Sequence, residues 1–171
     1  MKDNREIKNK DALQKYITFS LGEEEYGVPV LQVHEIVKMD EIIKIPHSFD
    51  YFMGLMDIRG KVIPVIDLKK KLGIQFNDFE SQDENTENSR RAIIIDAYGK
   101  RIGLAVDRVS HVNRFPPESI DSGPPAVKSS ANRYIAGVGK YKDQFVVLMS
   151  LSNLFTPEEV DTIFGKDITL A

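Results

Sequence analysis

The chain contains no cysteine, which excludes disulfides, thiolate nucleophiles and zinc–sulfur sites. It has no basic excess either. Its 23 Lys and Arg against 26 Asp and Glu leave a formal charge of −3, too little positive charge to neutralise nucleic-acid phosphates, so no nucleic-acid partner is expected. No apolar run is long enough to span a bilayer, and the opening MKDNREIKNKDALQKY lacks an apolar signal core. Membrane insertion is therefore not expected, and a cytoplasmic location is. What is present is 171 residues, 42% apolar and 29% charged, enough to bury one large core or two small ones in a soluble globular protein.

The strongest internal signal is a repeat. GLMDIRGKVIPVIDLKKKLG, starting at Gly54, returns in shortened form as GVGKYKDQFVVLMSLSNLF from Gly137. Aligning those two glycines sets Val62, Ile63, Val65, Ile66, Leu68 and Leu72 on Phe145, Val146, Leu148, Met149, Leu151 and Phe155, apolar on apolar throughout. Upstream, Gly27, Val28, Val30, Val33 and Ile36 match Gly103, Leu104, Val106, Val109 and Val112 at a second constant offset. Same order with slightly different offsets is how two copies of one small β unit look after their loops have drifted. The halves read as residues 14–76 and 90–165 of a domain spanning 14–165, separated by an acidic loop over 77–89 and preceded by a mobile tail over 1–13.

Alternation predicts a hairpin from Tyr16–Leu21 and Tyr26–Val30, turning at GEEE. Val33, Ile36 and Val37 follow at helical spacing, which predicts a short amphipathic turn or 3₁₀ piece. Lys61–Leu68 reads as a strand whose Pro64 belongs at a sheet edge, a bulge or a position facing no partner, leaving an edge for docking. One helical turn over Leu68–Leu72 stops at Gly73. Strands are expected over Arg91–Ala97, Arg101–Asp107, Ser110–Phe115, Tyr134–Gly139 and Gln144–Ser150, with a terminal helix over Pro157–Phe164. Short strands with little helix point to a mainly β protein: two SH3-like five-stranded barrel subdomains with short helices and a C-terminal helix.

Chemical motifs are sparse. GVGK at Gly137–Lys140 has Tyr134 at the first glycine position of a phosphate loop and Tyr141 where Ser or Thr belongs. The same GVG has Lys142 at the third glycine of a dinucleotide fingerprint and no βαβ unit around it. His34, His47 and His111 lack the spacing of a metal pair. No GxSxG elbow accompanies the serines. Asp57, Asp67, Asp96 and Asp107 stand at strand ends, where carboxylates cap turns, though a small hydrolase built on two of them stays open if they converge on one concave site. Arg59, in the tight turn Asp57-Ile58-Arg59-Gly60, reads either as an interface anchor or as the partner of Asp57 or Asp67. Val30, Val33 and Ile36 read either as core or as an apolar groove.

LGEEEYGVPVLQVHEI, GLMDIRGKVIPVIDLKKKLG, IGLAVDRVSHV and YIAGVGKYKDQFVVLMSLSNLF together resemble the CheW chemotaxis coupling proteins, in the same order from about Lys15 to Phe164. The family segment N-L-R-G-x-x-x-P-[IV]-[IV]-[DN]-L stands here from Asp57 to Leu68, with Asp57 in place of the usual Asn. The resemblance implies two SH3-like barrels with no catalytic activity, cofactor or metal. It implies an adaptor that couples methyl-accepting chemoreceptor tips to the regulatory domain of the histidine kinase CheA, joined by other CheW copies in rings and recruited to membrane-associated arrays. It also implies a receptor-docking groove between the barrels, mapping here onto Val30, Val33 and Ile36 beside Glu35, Gly54 and Arg59. An array controlling a non-chemotactic output is the neighbouring alternative.

Overall fold

The structure, a computed structural model, describes residues 15–74, 89–121 and 133–165. The tail expected over 1–13 and nearly all of the acidic loop expected over 77–89 lie outside the described residues. Among the described residues eleven strands form two sheets, one in each of two compact units.

The first unit holds the chain up to Val33 together with Val109–Leu154. Its strands are β1 (Lys15–Leu21), β2 (Glu24–Pro29), β8 (Arg108–Arg114), β9 (Ile120–Asp121), β10 (Ile135–Tyr141) and β11 (Gln144–Met149), in the sheet order β8-β1-β2-β11-β10-β9. The hairpin β1–β2 is antiparallel, with Phe19 opposite Tyr26, and β2 runs parallel to β11 through Tyr26 and Val147. Phe115, Val146 and Leu148 form a buried cluster with Tyr16, Ile120 and Tyr141 packed on it. The Phe115 ring meets Tyr16 edge-on at 5.7 Å between centroids.

The second unit holds His34–Arg108 and the chain from Phe155. Its strands are β3 (Val33–Lys38), β4 (Phe52–Ile58), β5 (Lys61–Asp67), β6 (Arg91–Ala97) and β7 (Lys100–Val106), in the order β3-β6-β7-β5-β4. Met56, Ile63, Val65, Ala92, Ile94 and Ala105 make its buried cluster. Its described residues include two short helices, α1 (Leu68–Lys71) and α2 (Pro157–Ile163). Asp67 caps α1 by accepting the Lys70 N–H, and Thr156 with Glu159 forms a capping box on α2, which explains why these brief segments stop and start where they do.

The repeat is real but exchanged between units. Gly54 in β4 and Gly137 in β10 sit at the same place, each just after a register irregularity in its hairpin. The parallel pair β5–β7 of one unit corresponds to β11–β2 of the other. Yet hairpin β1–β2 from the first half pairs with strands of the second half, and hairpin β6–β7 with strands of the first. The compact units thus cut across the halves 14–76 and 90–165. Sequence repeats record ancestry, whereas units record pairing, and a strand can pair with either copy's equivalent partner.

Three further expectations need correction. Helical character ends at the 3₁₀ turn Val30–Gln32, and Val33–Lys38 is a strand in which residues alternate between half-buried and exposed. Ile36 therefore points away from Val33, not with it. Strand β4 carries too continuous an apolar run to show alternation and is an addition to the expected set, as is the two-residue β9. Finally, β5 is paired on both sides and is not a sheet edge.

In the second unit, α2 is tied down by one carboxylate. Glu159 Oε2 accepts hydrogen bonds from the Tyr51 hydroxyl and from Lys71 Nζ, each at 2.8 Å, and the Lys71 ammonium also lies over the rings of Tyr51 and Phe155. Burial pushes the Glu159 carboxyl up, but the bonds from Lys71 and Tyr51 outweigh it and hold the group below the usual carboxylate range. Burial and then the Glu159 carboxylate raise the Tyr51 phenol. Because the Glu159 value is depressed in the folded state, its stabilisation is present above the unfolded carboxylate value and is lost as pH falls through the folded one. Glu159→Ala is expected to lower stability by about 2 kcal/mol at neutral pH. Urea unfolding from pH 7 down to about pH 3 checks this, with the gap between wild type and variant narrowing as the pH drops.

Candidate functional site

The turn between β4 and β5 has two residues, Arg59 and Gly60, with φ of 51° and 86°. Paired positive φ angles make a tight hairpin turn whose twist suits the flanking strands, and glycine adopts the second position without steric cost. Asp57 stabilises it: its Oδ1 accepts the Gly60 N–H at 2.8 Å. The same device recurs in the β6–β7 turn, where Asp96 Oδ1 accepts the Gly99 N–H at 2.9 Å.

With Asp57 occupied by the backbone, the Arg59 guanidinium goes elsewhere. It pairs with Glu35 on β3, neither with Asp57 nor with Asp67. The Arg59 side chain is 75% exposed and that of Glu35 23%, so the pair presents a cation outward on a carboxylate footing. His34 Nε2 stands 3.9 Å from the other Glu35 oxygen.

Glu35 and Arg59 are therefore brought together. Ile36 is exposed on the opposite side of β3 from Glu35. Gly54 is buried within β4, where its φ is 149° and a Cβ would stand 2.4 Å from the carbonyl oxygen of Ile43, so close packing accounts for its identity. Val30 and Val33 are half-buried in the first unit, at the 3₁₀ turn and its cap.

The strand-end aspartates all have structural duties. Asp57 and Asp96 close turns, Asp67 caps α1, and Asp107 pairs with Lys69 at 2.8 Å. His47 is likewise engaged, stacked on Phe52 at 4.1 Å, accepting the Phe49 N–H at Nδ1 and reaching the Thr162 carbonyl through Nε2. The stretch Gly137–Lys140 lies inside strand β10, not in a phosphate-cradling loop. Among the described residues no three His, Asp or Glu converge as metal ligands, and no helix is long and apolar enough to cross a membrane.

Sequence reasoning missed a second feature of the same unit. A cavity of about 600 Å³ lies beside Arg59, lined among others by Lys61, Val62, Lys100, Arg101 and Phe164. These residues are far apart in sequence, and only the topology joins them; the one local signal is the cluster of bases flanking the two Asp-closed turns.

The class defined by the fold is a protein of two small, mainly β units, whose strand-end carboxylates serve turns, caps and an ion pair, with a second ion pair at one hairpin tip. A CheW-like domain model matches residues 15–159. Chemotaxis protein CheW of Klebsiella aerogenes is 33% identical over 148 residues, covering 86% of this chain and 84% of that protein, and CheW of Treponema pallidum is 29% identical over 147 residues, covering 86% and 85%. The crystal structure of scaffolding protein TtCheW from Thermoanaerobacter tengcongensis matches with a TM-score of 0.70 at 35% identity, covering 84% of this chain and 88% of that one. The chain belongs to the CheW family of non-catalytic chemotaxis scaffolds.

Proposed function

We propose that this chain couples methyl-accepting chemoreceptors to the histidine kinase CheA, binding the receptor tip and the kinase regulatory domain, and that it is recruited in this way to membrane-associated arrays. The observation that carries the reading is the Glu35–Arg59 pair at the tip of an Asp-closed hairpin, within a chain matched to the CheW-like domain over residues 15–159. In the second unit the exposed Arg59 charge supplies register and Ile36 an apolar contact; Val30 and Val33, in the first unit and, for Val33, on the other side of the strand from Ile36, are proposed as separate apolar contacts. Further copies of the chain extend the assembly into rings. Signal then passes as a coupling energy, since a receptor state that binds the scaffold differently must shift the kinase bound to it. Gly54 contributes by shaping β4 beside this surface.

Co-sedimentation with receptor cytoplasmic fragments and CheA tests the reading. Wild type is expected to form a ternary pellet, and Val33→Glu is expected to weaken it about tenfold with its urea midpoint retained. Failure of the wild type to assemble with either partner, or undiminished assembly by the folded variant, contradicts the proposed surface.

A further inference from the structure

We propose that the cavity between the starts of β5 and β7 is a docking notch for an acidic, extended peptide segment of a partner protein. Its origin is Pro64. Parallel pairing of β5 with β7 begins only at Val65 opposite Gly103. Counting back from the two-residue turn, Ile58 with Lys61 and Met56 with Ile63 are the hydrogen-bonded pairs of the hairpin, so Pro64, one position further and opposite Leu55, has its main chain turned away from β4, and its missing N–H is the one that β7 would have received. The ladder cannot extend back past that point, and the two strands part. By the same alternation the main chain of Val62 points away from β4 and into the opening, where its N–H and C=O are placed to meet an added strand.

The lining fits an acidic occupant with apolar side chains. Lys61, Lys100 and Arg101 face a notch in which the one carboxylate among the described residues, Glu35, is already paired with Arg59. That local positive charge stands in a chain whose formal charge is −3, so it is not the spill-over of a generally basic surface. Between the bases lie Val62, 58% exposed, and Phe164, 38% exposed, with the Lys100 ammonium 4.7 Å from the Phe164 ring centroid. An extended segment with alternating carboxylate and apolar side chains presents the carboxylates on one face and the apolar groups on the other, so that one face can meet the bases while the other packs on apolar lining such as Val62 and Phe164. The cavity's volume of about 600 Å³ accommodates several such side chains.

A fluorescein-labelled peptide of alternating glutamate and valine tests this by anisotropy, with a glutamine-for-glutamate peptide as comparison and inorganic phosphate as competitor. No receptor or kinase is required, so the outcome is independent of the coupling reading. The acidic peptide is expected to bind at least about tenfold tighter than its neutral counterpart, increasingly so at low salt. The double variant Lys100→Glu, Arg101→Glu, altered at the outer ends of the notch, is expected to lose about tenfold with its urea midpoint unchanged. Amide shifts on peptide addition should centre on Lys61–Ile63 and Lys100–Ile102. Equal binding of the two peptides, equal binding by the folded double variant, or complete reproduction of the shifts by phosphate alone would overturn the proposal, the last by showing a simple anion site.

Discussion

Gly54→Ala is expected to lower the unfolding free energy by at least about 3 kcal/mol. Two costs act together. The backbone at Gly54 has φ of 149°, a conformation L side chains rarely adopt, and the added Cβ would stand 2.4 Å from the Ile43 carbonyl oxygen and 2.6 Å from Ile42 Cγ2. Neither neighbour can yield cheaply, because Ile43 is held to Leu55 by reciprocal backbone hydrogen bonds of 2.8 and 2.9 Å. Gly137, the repeat counterpart, supplies the control. A Cβ there would meet the Asp121 carbonyl oxygen and Ile120 Cγ2 at 2.8 Å, crowded but without a positive φ, so Gly137→Ala is expected to cost about 1 to 2 kcal/mol. Urea denaturation of the three proteins checks the ordering. Equal, small losses would remove the structural explanation of Gly54 and return it to the binding surface. The larger Gly54→Asp change should leave too little folded protein for any coupling assay to report on contacts.

Exchanging the charges of the Glu35–Arg59 pair is expected to separate stability from coupling. Arg59→Glu alone sets two carboxylates together at the hairpin tip, and Glu35→Arg with Arg59→Glu restores an ion pair of reversed sense. An exposed pair is worth about 0 to 1 kcal/mol, so the single and double variants should unfold within about 1 kcal/mol of wild type. If a partner reads the outward Arg59 cation, receptor-controlled kinase activity falls about tenfold or more in both. Recovery of control by the double variant would mean that the pair acts only within this chain, positioning the turn, and would move the recognition charge elsewhere.

How much of this was legible in the sequence depended on whether the information was local. Strand β6 falls at the expected Arg91–Ala97, and α2 starts at the expected Pro157, because each is specified by its own residues. The matched glycines Gly54 and Gly137 were visible as a repeat, and both prove to be close-approach positions. The exchange of hairpins between units was not legible, since matched copies present equally compatible edges and only the folded chain chooses. Val33–Lys38 misled because a strand exposing Ile36 on one side and half-burying Val33 and Val37 on the other mimics helical spacing when only the apolar residues are counted. Arg59 was identified as unusual, but its partner Glu35 lies 24 residues away, beyond any turn rule. Pro64 was recognised as incompatible with a full ladder. That it opens a basic notch beside Lys100 and Arg101 required the parallel pairing with β7.

Control of the kinase is the most direct test of coupling, measured as CheA autophosphorylation in receptor-containing membranes with and without this chain, before and after addition of receptor ligand. Kinase activity that rises on adding the chain and becomes ligand-sensitive only in its presence is the predicted result. Ligand control of the same size without the chain, or kinase activity indifferent to its addition, would contradict it.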